Sequence, residues 1–382
     1  MTDSKITDLT ENTTPQPTDL LVIEDDPGGA PSTQKIKVSN LFKVSPIAFK
    51  NSIINGDMQI AQRGTSFTST TTPANNDDAY VLDRWYILSD GNDVADVTRA
   101  TDAPANQLYS IGLDVETINK KFGIAQIVEQ QNCIGLIGET ASLSFKARVS
   151  STTKLDNIKA AVVAWSGTAD VVTSDIVSAW GVEGTNPTLI ANATYENSPA
   201  NLNVTTAWAT YRIENISIDT SNAKNIIVFI WSDVTDTTLG DFLYITDVQL
   251  EQGAAATNFE RLPVDIDLAR CQRYYYRLSP AAANVQVSVG FNVSTTEARG
   301  VTYFPVSLRS APTALEQTGT AANYEVNHAA TATACSAAPT FQSATSYSAI
   351  TTFTVASGLT AGQGSFGRTA STAAYLGWNA EL

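Results

Sequence analysis

Sugar binding by a protein without metals rests on aromatic rings that stack on pyranose faces and on polar side chains that take the hydroxyls. Two aromatics, Trp180 and Tyr195, fall in a long polar stretch with no strand-like alternation between residues 166 and 202. A hydrophobic core gives no reason for rings there, so both are candidates for glycan contact in a loop that carries function. Arg84-Trp85 pairs a guanidinium donor with an aromatic face, but its place in an opening strand assigns it to the core, as it does Trp165, Trp208 and Trp231. Glycoside hydrolysis needs two carboxyls about 5–10 Å apart. The acid pairs Asp25-Asp26, Asp77-Asp78 and Asp233/Asp236 are available, yet adjacent acids on a strand point to opposite faces. Asp77-Asp78 read as solvated turn residues, although their oxygens also suit Ca²⁺.

Other chemistries are poorly served. A single histidine, His328, excludes His-rich zinc sites and most His-dependent triads. Cys133, Cys271 and Cys335 are far apart and form no CxxC pair, which argues for three isolated buried thiols. No GxSxG, P-loop, Rossmann or HExxH pattern occurs. The expectation is a protein that is not an enzyme, with no cofactor and no metal. With 38 acidic against 23 basic residues and a net charge of −15, the chain lacks the Lys/Arg clusters of nucleic-acid binding. Its longest apolar runs, 160–165 and 226–231, are strand-sized, far short of the roughly 20 residues that span a bilayer. The opening residues are polar and acidic, unlike a signal peptide, so synthesis in a cytoplasm is expected.

The elements that position these residues are almost all strands. Segments 80–88, 108–115, 124–129, 141–149, 158–165, 207–218, 225–231 and 243–250 have strand length, with Gly/Asn/Asp/Thr loops between them. Phe145, Ala147 and Val149 alternate with Ser144, Lys146 and Arg148, the period of a half-buried strand. Residues 51–262 therefore read as an antiparallel jelly-roll β-sandwich. Residues 1–50 hold a small hairpin, with an apolar strand at 20–23, a turn at Pro27-Gly-Gly and alternation over 35–38. Residues 263–278 read as a short linking helix, preceded by Pro263 and capped by Asp265. Val264, Leu268, Cys271, Tyr275 and Leu278 follow spacings of four, three, four and three, so this helix is a candidate trimer contact. Packing on a neighbouring domain is the alternative. Residues 279–382 return to β character in a tail almost without charge, whose strand edges call for pairing across subunits.

Several motifs resemble bacteriophage fibre and tail-associated proteins. Asn51-Ser-Ile-Ile-Asn-Gly-Asp-Met-Gln-Ile-Ala-Gln-Arg-Gly-Thr with Tyr80-Val-Leu-Asp-Arg-Trp is similar to the opening of a carbohydrate-binding-module-like jelly roll in such fibres. Leu136-Ile-Gly-Glu-Thr-Ala-Ser-Leu-Ser-Phe-Lys-Ala-Arg, Thr205-Thr-Ala-Trp-Ala-Thr-Tyr and Val248-Gln-Leu-Glu-Gln-Gly with Ala-Thr-Asn-Phe-Glu-Arg261 match further strands of that module. Tyr303-Phe-Pro-Val-Ser-Leu-Arg-Ser-Ala-Pro-Thr and Asn379-Ala-Glu-Leu resemble its distal domain, and Ile6-Thr-Asp-Leu-Thr with the 20–42 segment resembles an attachment end. The resemblance implies a homotrimeric virion protein. Residues 1–50 would dock on head or tail proteins, and distal β-modules would meet host surface glycans. The alternatives are a polysaccharide depolymerase, or a capsid fibre or decoration protein with no defined receptor.

Overall fold

Side-chain alternation and loop chemistry generate an almost entirely antiparallel β-structure. The structure, a computed structural model, describes residues 20–25, 32–37 and 49–382. At its start β1 (Leu20–Asp25) pairs with β2 (Ser32–Lys37) in the expected hairpin, with Leu20 opposite Lys37. The expected turn at Pro27 and the Ile6-Thr-Asp-Leu-Thr motif lie outside the described residues.

The sandwich comprises β3 (Ser66–Phe67), β4 (Tyr86–Ser89), β5 (Ala95–Ala100), β6 (Ser110–Val115), β7 (Phe122–Val128), β8 (Thr140–Val149), β9 (Ile158–Trp165), β10 (Val177–Ala179), β11 (Thr188–Leu189), β12 (Ala193–Tyr195), β13 (Ala209–Ser217), β14 (Asn225–Ser232) and β15 (Phe242–Gln252). One sheet runs β12-β9-β14-β7-β4 and the other β13-β8-β15-β6-β5-β3. Leu143, Phe145, Ala147 and Val149 of β8 face the inter-sheet core with Leu243 and Ile245 of β15. In β9 and β14 every residue is buried. Such runs are almost wholly apolar because both faces of the sheet are covered, Lys159 in β9 and the end residues Asn225 and Ser232 of β14 being the exceptions. Ile226, Val228 and Ile230 enter the central core, while Ile227, Phe229 and Trp231 point outward beneath residues 166–201.

The helix spans Val264–Gln272, shorter than the sequence suggests, and Asp265 lies in its first turn rather than at its cap. Tyr275–Leu278 is a strand, β16. The seam expected of one continuous helix is therefore broken up. Cys271 is fully buried with Ile54, Ile60 and Tyr274, and Leu268 packs against them. Tyr275, also fully buried, donates its hydroxyl to Glu316 at 2.7 Å, and Leu278 packs on the C-terminal core. Of the five candidate trimer contacts only Val264 is largely exposed, at 57%. Cys271 and Tyr275 therefore have no surface left for another subunit and drop out as trimer contacts, while Leu268 and Leu278 are partly buried within their own chain.

The C-terminal part adds β17 (Gln286–Asn292), β18 (Glu297–Tyr303), β19 (Glu316–Gln317), β20 (Tyr324–His328), β21 (Thr331–Ala334), β22 (Thr340–Ala344), β23 (Ser348–Thr354), β24 (Gly364–Thr369) and β25 (Leu376–Asn379). A seven-stranded sheet, β21-β20-β24-β17-β18-β23-β22, packs on a three-stranded one, β16-β25-β19, around Tyr324, Phe353 and Trp378. All three cysteines are free and buried, as expected.

The last residues of the chain return to the sandwich. Arg84, 1% exposed and with a left-handed φ of 69°, pairs with Glu381 and donates to the Ile127 carbonyl. Arg63 lies 3.4 Å from the other Glu381 oxygen, with its guanidinium 3.6 Å above the Tyr275 ring. Burial works against the Arg84 cation, but Glu381 raises its pKa overall. Tyr80 donates to the Leu382 carbonyl at 3.0 Å, and Arg309 donates to the carbonyls of Ala380 and Glu381. Glu381→Ala would strand the buried Arg84 guanidinium without a counter-charge and leave Arg63 only the more distant Asp83 and Glu316. It should lower unfolding stability by about 3–5 kcal/mol in urea titrations, as removal of one partner from a buried pair does.

Candidate glycan-contact face

The two loop aromatics are held as pins rather than displayed. Trp180 is only 8% exposed and packs edge-on against Phe229 at 5.9 Å. Tyr195, half-buried in the edge strand β12, lies 6.5 Å from Trp231 and donates its hydroxyl to the Pro187 carbonyl at 2.9 Å. Burial pushes that hydroxyl well above its ordinary pKa. The Lys121 ammonium fastens the same loop, donating to the carbonyls of Trp180, Val182 and Thr185 at 3.3, 2.8 and 3.2 Å. It also pairs with the buried Asp233, whose second oxygen takes Lys159 at 2.7 Å. The expectation of an exposed Trp180 is corrected, because the outward Phe229 and Trp231 need a cover and these residues supply it. Arg84 and Trp85 are buried, as expected, and Trp85 donates to the Asn55 carbonyl.

With the five-stranded sheet covered, the open face of the sandwich is the outer side of the six-stranded sheet. Strand register builds it. Ala209 pairs with Ala147, which places Trp208 beside Arg148. Arg148 then faces Tyr244, Tyr244 faces Gly112, and Gly112 faces Thr98, making one row across five strands. Trp208 is thus not a core residue. It is half-buried on this outer face, 6.4 Å from the Tyr244 ring, and donates its indole N–H to Asp102 at 3.0 Å. Asp102 in turn pairs with Arg148 at 3.2 Å, so one carboxylate orients both the indole and the guanidinium. Arg148 lies 5.5 Å from the Tyr244 centroid and 5.6 Å from that of Phe242, and these two rings are 4.6 Å apart.

Gly112 is what lets Tyr244 lie down on the sheet. A Cβ at that position would come within 2.5 Å of the Tyr244 ring. In the next row Phe242 faces Asp114, which faces Asp96. Burial, then Glu116, Asp93 and Asp114, raise Asp96 to about 6, and burial with Asp241 raises Asp114. On the other side of the aromatic row, Lys146, Thr210, Arg212, Asp247, Phe259 and Arg261 line a groove of about 390 Å³. Aromatic rings, fixed hydrogen-bonding charges and a groove thus share one sheet face, an arrangement suited to an extended polar chain with apolar ring faces.

Sequence reasoning missed this face, although its signal was present. Trp208 has the parity of Thr210 and Arg212 rather than of Tyr211 and Ile213. Phe242 and Tyr244 alternate with the core residues Leu243 and Ile245. Asp77 sits in its turn with Oδ1 accepting from Ser89 N–H at 2.7 Å, and burial raises it to about 6. Among the described residues no group of three His, Cys, Asp or Glu side chains is placed to hold a metal ion, and no helix is long and apolar enough to cross a membrane.

No family model matches the sequence, and the comparison with curated proteins returned no match. Solved structures similar to it include the enzymatically active domain of tailspike protein 4 of bacteriophage CBA120, at 15% identity and a TM-score of 0.31, over 53% of this chain and 22% of that one. The C-terminal family 22 carbohydrate-binding module of Clostridium thermocellum Xyn10B is 12% identical at a TM-score of 0.32, over 56% and 99% of the two chains. The CBM22-1 xylan-binding domain of Paenibacillus barcinonensis Xyn10C is 12% identical at a TM-score of 0.27, over 45% and 87%. This chain therefore spans about a fifth of the tailspike domain and nearly all of the Clostridium module.

Proposed function

We propose that the protein is a glycan-binding adhesin, and that the outer face of the six-stranded sheet is its contact surface. The observation that carries this reading is the row Trp208–Arg148–Tyr244–Gly112, in which a glycine lays one aromatic ring flat and Asp102 fixes the other. Flat rings with a fixed orientation accept sugar C–H faces at little entropic cost, and the flanking charges take hydroxyls. The motifs over residues 51–261 and 303–313 support the finer reading of a phage fibre, docked on head or tail proteins through residues 1–50 and located on the virion.

The same proposal makes the protein a homotrimer, with a different contact from the helix seam. Across the seven-stranded sheet, Phe366 pairs with Val289, Val289 with Val301, and Val301 with Ile350. Val289 is 62% exposed, Phe291 53% and Phe366 38%. An apolar strip of this kind supports association with another subunit. The charged side chain beside it, Arg299 opposite Phe291, is neutralised by Glu297 at 2.7 Å. Several copies on one fibre multiply a weak sugar contact by about 10²–10⁴ when they engage together.

Trp208→Ala and Tyr244→Ala should each weaken retention on host polysaccharide by roughly tenfold, about 1–2 kcal/mol. Trp180→Phe should leave it unchanged, and polysaccharide chain length should not fall during incubation. Shortened chains would favour the depolymerase reading. In sedimentation, the double variant Val289→Asp/Phe291→Asp should shift the protein from trimer toward monomer. A wild-type monomer at micromolar concentration would contradict the trimer.

A further inference from the structure

The groove beside the aromatic row carries more basic than acidic side chains. Lys146, Arg212 and Arg261 line it with a single carboxylate, Asp247, in a chain whose net charge is −15. Asp247 is already committed, with Lys146 2.8 Å from one oxygen and the Gln107 amide donating to the other. Arg261 uses one nitrogen, Nη2, on two neutral acceptors, the Asn106 carbonyl and the Gln107 side chain, and among the described residues its Nε and Nη1 have no acceptor. Among the described residues neither Arg212 nor Arg261 forms an ion pair. Glu214, the next outward residue on β13, spends its Oε1 on the Ala256 N–H at 2.9 Å and makes no ion pair with Arg212.

Two guanidiniums outside ion-pair distance of any carboxylate therefore line a groove whose one acid, Asp247, is paired with Lys146 and feels Arg261 only at longer range. An arginine fork matches the paired oxygens of a carboxylate or phosphate, and in a charged chain such forks are ordinarily taken up by Asp or Glu. Phe259 lines the same groove and offers an apolar surface to a ring. We infer that this groove binds an acidic saccharide, one carrying a carboxylate or phosphate on the sugar ring. Arg212 and Arg261 take the oxyanion, and the neighbouring Trp208–Tyr244 row takes the next residues of the chain. The inference rests on the glycan reading above and adds the ligand's charge class to it.

The test is calorimetric titration of the full-length protein with oligogalacturonate, with its methyl ester, and with a phosphorylated oligosaccharide of equal length. The acidic form, carboxylate or phosphate, should bind at least about tenfold more tightly than the neutral ester, and the preference should shrink as salt rises, since these charges are exposed. Arg212→Gln and Arg261→Gln should each weaken binding of the acidic form far more than that of the ester, removing most of that preference, while thermal unfolding shows that both variants still fold. Equal binding of acid and ester, with both variants like the wild type, would overturn the inference and leave the glycan reading standing. Absence of binding to every acidic probe, with neutral host polysaccharide still retained through Trp208, would overturn it as well. Loss of all saccharide binding would overturn both.

Discussion

A buried guanidinium needs a fixed counter-charge, and at Arg84 that requirement ties together distant parts of the chain. Its partner, Glu381, comes from the terminal segment, nearly 300 positions along the sequence. Its flat face is covered by Tyr274 at 3.7 Å, from the junction after the helix. Arg63 shares the same carboxylate and lies on Tyr275. Breaking one member leaves the others charged and dry, so sandwich, junction and C-terminal sheets are held in one arrangement or in none. Cys271, Tyr274 and Tyr275 of the junction are thereby committed to contacts within their own chain, so the 4-3-4-3 spacing does not run as one exposed helical seam.

A second constraint decides which surface is free. β7, β9 and β14 carry apolar residues on both faces, and a sheet of that kind cannot leave one of them in water. Residues 166–201 cover the outer one, with Trp180 and Tyr195 as pins and the Lys121 ammonium held by three carbonyls and Asp233. The six-stranded sheet is instead polar on its outer face, apart from the aromatics Trp208, Phe242 and Tyr244. These stand among charges rather than among aliphatic neighbours, where a core would not place them. The asymmetry between the two sheets, and not the length of the insertion, decides which face is left open and is proposed as the contact surface.

Much of this was legible in the sequence. Strand positions, the central sandwich, the early hairpin, the buried cysteines and the core placement of Arg84-Trp85 follow from alternation and turn chemistry. The helix boundary did not follow, because β16 begins among residues whose 4-3-4-3 spacing suits a helix, and pairing of Tyr275–Leu278 with β25 overrides that local preference. Trp180 was misplaced because a polar stretch read as a free loop, whereas its few apolar side chains are the part that packs. Trp208 was misplaced for the opposite reason. An aromatic at a strand start reads as core until register is known, and the register of β13 is set by its pairing with β8, 62 to 77 positions away.

On the proposed reading, sugar rings lie on the outer face of the six-stranded sheet. A crystal structure of the protein with an oligosaccharide from a polysaccharide it retains decides the point. The predicted result is pyranose rings against Trp208 and Tyr244, with the chain running toward Arg212. Sugar bound instead against residues 166–201, or only on the C-terminal sheets, would contradict it.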